Sequence, residues 1–140
     1  MPRVFISYAS EDREFVRREI VALLNRLGVA TWFATEDIRS ATDWEGSIRE
    51  GLESCDWFLV AMSPNSLASQ WVQAETHWAL DERPGHVVPV LIENCDLSKW
   101  HLKLRRIQHV DFRHDLSRRR PKLLEVWGKK ADADACAAEL

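Results

Sequence analysis

The sequence predicts an α/β domain: a parallel β-sheet with helices on both of its faces. Three observations carry this. Apolar, β-prone runs recur at residues 4–8, 29–34, 57–62, 86–92 and 107–112. Most of them are separated by stretches with helical apolar spacing, and such alternation is the pattern of strands joined by helical crossovers. The third run, WFLVAM, is apolar at every position, as a buried strand would be.

In chain order, residues 4–8 form the first strand, and Ser10, Glu11 and Asp12 start a helix with acids suited to the positive end of its dipole. Val16, Ile20, Leu23, Leu24 and Leu27 then fall on one helical stripe, and Gly28 stands at the expected stop. Residues 29–34 are a second strand, followed by a polar loop, TEDIRSAT, at 35–42. Thr42 and Glu45 make a capping box for a helix whose Trp44, Ile48, Leu52 and Cys55 line one face.

The central strand at 57–62 ends at Ser63-Pro64, where proline cannot continue a ladder. In the helix that follows, Trp71, Glu75 and Trp78 stand at i, i+4 and i+7, which sets one carboxylate between two indoles. Positions 71, 72, 78 and 79 are Trp, Val, Trp and Ala, so no helical ion pair accounts for Glu75. Polar groups at the carboxyl end of a strand are where open α/β sheets bind ligands.

Arg83-Pro84-Gly85 breaks this helix, and Pro89 within the fourth strand suits a position near the sheet edge or a bulge. Residues 107–112 are a short fifth strand and 117–127 a final helix. The domain is expected to span 1–128, with 129–140 a tail or a linker to a further domain.

At 140 residues and 16.2 kDa the chain is long enough for a core without disulfide or metal staples. Its three cysteines lack paired spacing and follow no signal peptide, so a reducing, cytoplasmic compartment is expected. No run reaches the length of a membrane span. The net charge of −3 is unevenly spread: residues 99–122 hold nine Lys or Arg against Asp111 and Asp115. Aromatics are not interleaved with these charges, so the region reads as a solvated face or half of a head-to-tail contact, and no nucleic acid is expected.

Several chemistries are excluded. Glycines at 28, 46, 51, 85 and 128 compose neither a dinucleotide fingerprint nor a P-loop. The central strand ends Met62-Ser63 rather than in an acceptor aspartate, and there is no G-x-S-x-G elbow. Cys55 falls on an apolar helix stripe and reads as an inert core thiol. Cys95, His101, His109 and His114 lack the short paired spacing of zinc ligands, so no metal is expected. Trp44 and Trp71, each in the first turn of a helix at the ligand edge, suit packing and binding equally.

Taken together, VFISYASED, ATEDIRSATDW, SPNSLASQWVQAE, HVVPVLI and VDFR resemble, in order and spacing, a Toll/interleukin-1 receptor (TIR) domain of prokaryotic type over residues 3–127. The resemblance implies a flavodoxin-like five-stranded parallel sheet in the order 2-1-3-4-5. It also implies one of two roles, a scaffold that signals by self-association or an enzyme that cleaves NAD+ at the nicotinamide ribosyl bond. In the cleaving members the catalytic glutamate ends an S-x-W-x-x-x-E motif, matched here by Ser69, Trp71 and Glu75. The same resemblance makes Tyr8, Ala9 and Ser10 substrate contacts, adds Phe33, Trp44 and Trp71 as ring or wall contacts, and makes loop 35–43 an assembly contact. The glycine or proline common in that loop is absent here.

One carboxylate suffices for such chemistry on paper. Nicotinamide leaves a cationic ring as a neutral molecule and needs no general acid, while the oxocarbenium-like ribose left behind is stabilised by a fixed negative charge. The expected enzyme is an NAD+ hydrolase or cyclase, with NAD+ as substrate and no further cofactor. It is expected to act on self-association as a defence or signalling effector, with a sensor domain or partner protein as trigger. The alternative is a non-catalytic interaction module.

Overall fold

The structure is a computed structural model and describes residues 3–26, 28–33, 50–107 and 109–113. Five strands, β1 (Arg3–Ser7), β2 (Ala30–Phe33), β3 (Trp57–Met62), β4 (Val87–Leu91) and β5 (Val110–Asp111), form one sheet in the order β2-β1-β3-β4-β5. Every neighbouring pair is parallel, as expected from the alternation. β3 is central and registers Leu59 against Ile6 on one side and Val88 on the other.

Side chains alternate across this sheet and so build two cores. Val4, Ile6 and Tyr8 join Leu59, Ala61, Val88 and Val90 beneath the first helix, where Val16, Ile20 and Leu24 cover them. Phe5, Phe58, Val60 and Met62 face the other way and pack on Val72, Ala79 and Leu80. Both faces are therefore covered, which is why the strands carry unbroken apolar runs.

The first helix, α1, opens with a 3-10 turn at Ser10–Asp12, runs as α-helix through Arg13–Val16, widens to a π-helix at Arg17–Val21 and closes as α-helix over Ala22–Arg26. The π turn departs from the regular stripe. Its wider winding brings Glu19 and Val21 into the buried face beside Ile20. The stop is as expected: Gly28 has φ 82°, its N–H donates to Asn25 O at 3.1 Å, and Val29 N–H reaches Leu24 O at 2.9 Å.

Residues 50–54 are helical (α2), with Leu52 and Cys55 buried as expected. Beyond β3, one expected helix is two: α3 (Pro64–Ala68) and α4 (Gln70–Glu82), separated at Ser69, whose ψ of 117° is extended. Pro89 lies on β4, next to the edge strand β5 and so near the sheet edge, as expected. It is tolerated because it faces Val60 of β3 and precedes the β4–β5 pairing, which begins at Val90. A 3-10 turn at Leu97–Lys99 and α5 (Leu102–Arg105) fill a stretch for which the sequence suggested no element, and bury Trp100 and Leu104 in the second core.

Leu27, Trp44, Ile48, the Thr42–Glu45 capping box, loop 35–43, the helix expected at 117–127 and the tail at 129–140 lie outside the described residues. Among the described residues no helix is long and apolar enough to cross a membrane.

Candidate active site at the carboxyl edge of the sheet

The site begins with one polar residue in an apolar strand. Ser7 ends β1, points to the α4 side of the sheet by alternation with Ile6, and is fully buried. On α4 the buried positions are Val72, Glu75, Thr76, Ala79 and Leu80, a single stripe that presses on β1 and β3. Glu75 therefore reaches the sheet instead of solvent. It is 3% exposed, and Ser7 Oγ–H donates to its Oε1 at 2.8 Å. A carboxylate this deep is destabilising unless donors compensate, and a hydrogen bond to a charged group is worth about 1.5–3 kcal/mol.

Just outside, a pocket of about 540 Å³ opens between Ala9, Ser10 and Glu11 on one side and Asn65, Ala68, Ser69 and Trp71 on the other. Its size suits a small-molecule ligand, for which pockets run from roughly 300 to 1,000 Å³. Ser69 caps α4 by accepting Val72 N–H at 3.3 Å, which fixes the first turn that carries Trp71. Trp71 is 39% exposed and lines the pocket, and Glu75 is buried one helical turn further along α4, outside the lining.

Of the residues singled out from the sequence, Ala9, Ser10 and Trp71 line this pocket together, while Glu75, bonded to the Ser7 hydroxyl, is buried and not part of the lining. Tyr8 is 1% exposed with its ring in the first core, so its side chain presents no surface here. Phe33 ends β2, and Trp44 lies outside the described residues. Trp78 is half-buried against the second core under the Arg83 guanidinium, 5.1 Å from its ring centroid, and its helical spacing from Glu75 does not bring it to the pocket wall.

Sequence reasoning missed Ser7, and it read Asp12 only as a helix-start acid. Asp12 is buried. Its carboxylate accepts from Ser63 Oγ and, at 3.1 Å, from Asn65 Nδ2. Ser63 in turn caps α3 through a reciprocal box with Ser66. A signal for Ser7 did exist, since it is the one hydroxyl in VFIS.

The two thiols among the described residues, Cys55 and Cys95, are poor nucleophiles. Burial pushes Cys55 above the usual thiol range, and its Sγ–H donates to Leu52 O at 3.0 Å. Burial raises Cys95 as well. Among the described residues no cluster of His, Cys, Asp and Glu is arranged to hold a metal ion.

Residues 4–124 match the family described as the TIR domain. The chain belongs to this family. Among similar proteins, the NAD(+) hydrolase TcpC of Escherichia coli O6:H1 is 35% identical over 71 residues, covering 51% of this chain and 23% of TcpC. The 2′ cyclic ADP-D-ribose synthase BtTIR of Bacteroides thetaiotaomicron is 27% identical over 98 residues, covering 69% of this chain and 32% of BtTIR. The chain thus spans 23% to 32% of the length of these relatives. In fold, this TIR domain superposes on that of the Toll-related receptor TRR-2 from Hydra magnipapillata with a TM-score of 0.70 at 23% identity, covering 95% of this chain and 98% of the other. The TIR domains of the activated Roq1 resistosome give 0.66 at 18% identity, covering 89% and 98%.

Proposed function

We propose that this TIR domain cleaves NAD+ at the nicotinamide ribosyl bond, with Glu75 as the catalytic carboxylate. The observation that carries the reading is Glu75 itself, a buried acid bonded to Ser7 and one helical turn from Trp71, which lines a pocket together with Ala9 and Ser10. Relatives named as an NAD(+) hydrolase and as cyclic ADP-ribose synthases point to the same substrate.

In the proposed reaction the bond between the ribose anomeric carbon and the ring nitrogen breaks, and its electron pair leaves with neutral nicotinamide. The ribosyl cation gains stabilisation from the nearby carboxylate, which acts most strongly in a site from which water is excluded. Water then adds and loses a proton to give ADP-ribose, or a hydroxyl of the same molecule adds and gives a cyclic product. Because Glu75 is 3% exposed, entry of the substrate has to uncover it, and Trp71 at the lip is placed to take up the first contact.

Activity is proposed to rise with self-association through loop 35–43 and the basic region after Lys99. In that region Lys99, Lys103, Arg105 and Arg106 are exposed around Leu102, which is 57% exposed. Contacts between complementary charges weaken as salt rises. A cytoplasmic signalling or defence role, with a sensor domain or partner as trigger, completes the proposal.

The test is a dilution series of the chain incubated with NAD+, with nicotinamide, ADP-ribose and cyclic products separated by chromatography. Turnover per molecule should climb with concentration and fall with salt. Specific activity that is flat in both variables removes assembly as the switch, and NAD+ left intact at every concentration removes the enzyme.

A further inference from the structure

We propose that Asp12 is a positioning residue that ties the two walls of the pocket together and governs substrate binding rather than bond cleavage. The inference rests on reading that pocket as the substrate site. An acid at the start of a helix ordinarily caps its own helix, yet Asp12 makes no side-chain cap there. Both of its oxygens reach across the sheet edge instead. One accepts from Ser63 Oγ and the other from Asn65 Nδ2, partners 51 and 53 residues away in sequence.

The two ends of this bridge are the two walls. Asp12 directly follows Ala9, Ser10 and Glu11, and its own N–H donates back to Ala9 O at 2.9 Å, so the first wall turns about it. Asn65 belongs to the second wall, and Ser63 caps the helix that leads to it: Ser66 N–H donates to Ser63 Oγ at 3.0 Å, and Ser63 N–H to Ser66 Oγ at 2.8 Å. α3 then runs into Ser69, which caps α4 ahead of Trp71. The hydrogen bonds thus form one chain from the loop after β1 through Asp12 to the helix that carries the indole. A buried carboxylate is tolerated only when its oxygens are satisfied, so both bridges are needed for Asp12 to remain where it is. Glu75 is held separately, by Ser7. Cutting the Asp12 bridge should therefore loosen the walls and leave the catalytic carboxylate in place.

The experiment uses the full chain with Asp12→Ala and the near-isosteric Asp12→Asn. Amide hydrogen exchange is followed at Ser66, Leu67 and Ser69, with β3 and β4 as internal references, alongside steady-state nicotinamide release from NAD+. In Asp12→Ala the three pocket amides should exchange about tenfold faster with the strand amides unchanged, as in a local opening. The apparent KM should rise about tenfold while kcat stays within about threefold. Asp12→Asn, which keeps an acceptor for Asn65, should recover most of both. Faster exchange spread evenly over the strands would make Asp12 a general fold brace, and a loss confined to kcat would place it in the chemistry; either result overturns the proposal. If the unmodified chain releases no nicotinamide, the functional reading fails, and the exchange data alone decide whether the walls are clamped.

Discussion

Ser7→Ala is the substitution that probes the support of Glu75 most sharply. It deletes a single hydroxyl, fully buried, whose O–H donates to Glu75 Oε1 at 2.8 Å. A hydrogen bond to a charged partner contributes about 1.5–3 kcal/mol, so kcat should fall by roughly tenfold to a hundredfold if the bond holds the carboxylate in its working position. The folded state also loses a donor to a buried acid. For a chain of this length each kcal/mol moves the melting temperature by about 4 °C, so a decrease of roughly 6–12 °C is expected.

Ser7→Thr separates the two effects. It restores the hydroxyl but adds a methyl group to a filled site, which costs about 1–3 kcal/mol of stability. Its melting temperature should fall while kcat per folded molecule stays near the wild-type value. The assay is nicotinamide release well below the melting temperature, with the folded fraction measured by circular dichroism. A folded Ser7→Ala protein with wild-type kcat would refute the claim that this bond supports catalysis.

Three further outcomes are expected. Trp71→Ala, at the lip and 39% exposed, should raise the apparent KM for NAD+ more than it lowers kcat and shift the melting temperature only slightly; steady-state kinetics and a thermal melt check both. Gly51→Ala should lower the melting temperature, because its new methyl would lie 2.6 Å from the Trp32 ring, which stacks on Phe5 at 4.7 Å. The helix-propensity gain of about 1 kcal/mol is smaller than an overpacking penalty of about 1–3 kcal/mol against so rigid a stack. Cys55, with its thiol pushed up by burial, should be alkylated by iodoacetamide at neutral pH at least about tenfold more slowly than in the urea-unfolded chain. A raised thiol holds less thiolate at any given pH, so the native rate should climb as pH passes above the usual thiol range, which mass spectrometry of the labelled peptide reads.

The fold was legible because its signals are local. Apolar runs and the Val16, Ile20, Leu24 spacing lie within single elements, whereas the strand order was expected from the resemblance to TIR domains. Glu75 stood out for a related reason, as an acid on an apolar helix stripe with no cation in helical reach. What supports it was not legible, since Ser7 and Glu75 are 68 residues apart and only the packing of α4 on β1 brings them together. Asp12 was misread by the same logic, because its local position suits a helix start while its hydrogen bonds are to Ser63 and Asn65. Pro89 pointed to the neighbourhood of the sheet edge, where β4 lies beside a β5 of only two residues. The π turn in α1 has no marker in a periodicity argument, which assumes uniform winding.

Cleavage of NAD+ by the Glu75 carboxylate is the proposal on which the kinetic outcomes above depend. Its most direct test is nicotinamide release by wild type and by Glu75→Gln at equal, high protein concentration, with thermal melts of both. Glutamine keeps the size and removes the charge that the ribosyl cation needs, so a folded Glu75→Gln protein should release nicotinamide more slowly by about 10²-fold or more. A folded Glu75→Gln protein that releases nicotinamide at the wild-type rate would contradict the claim.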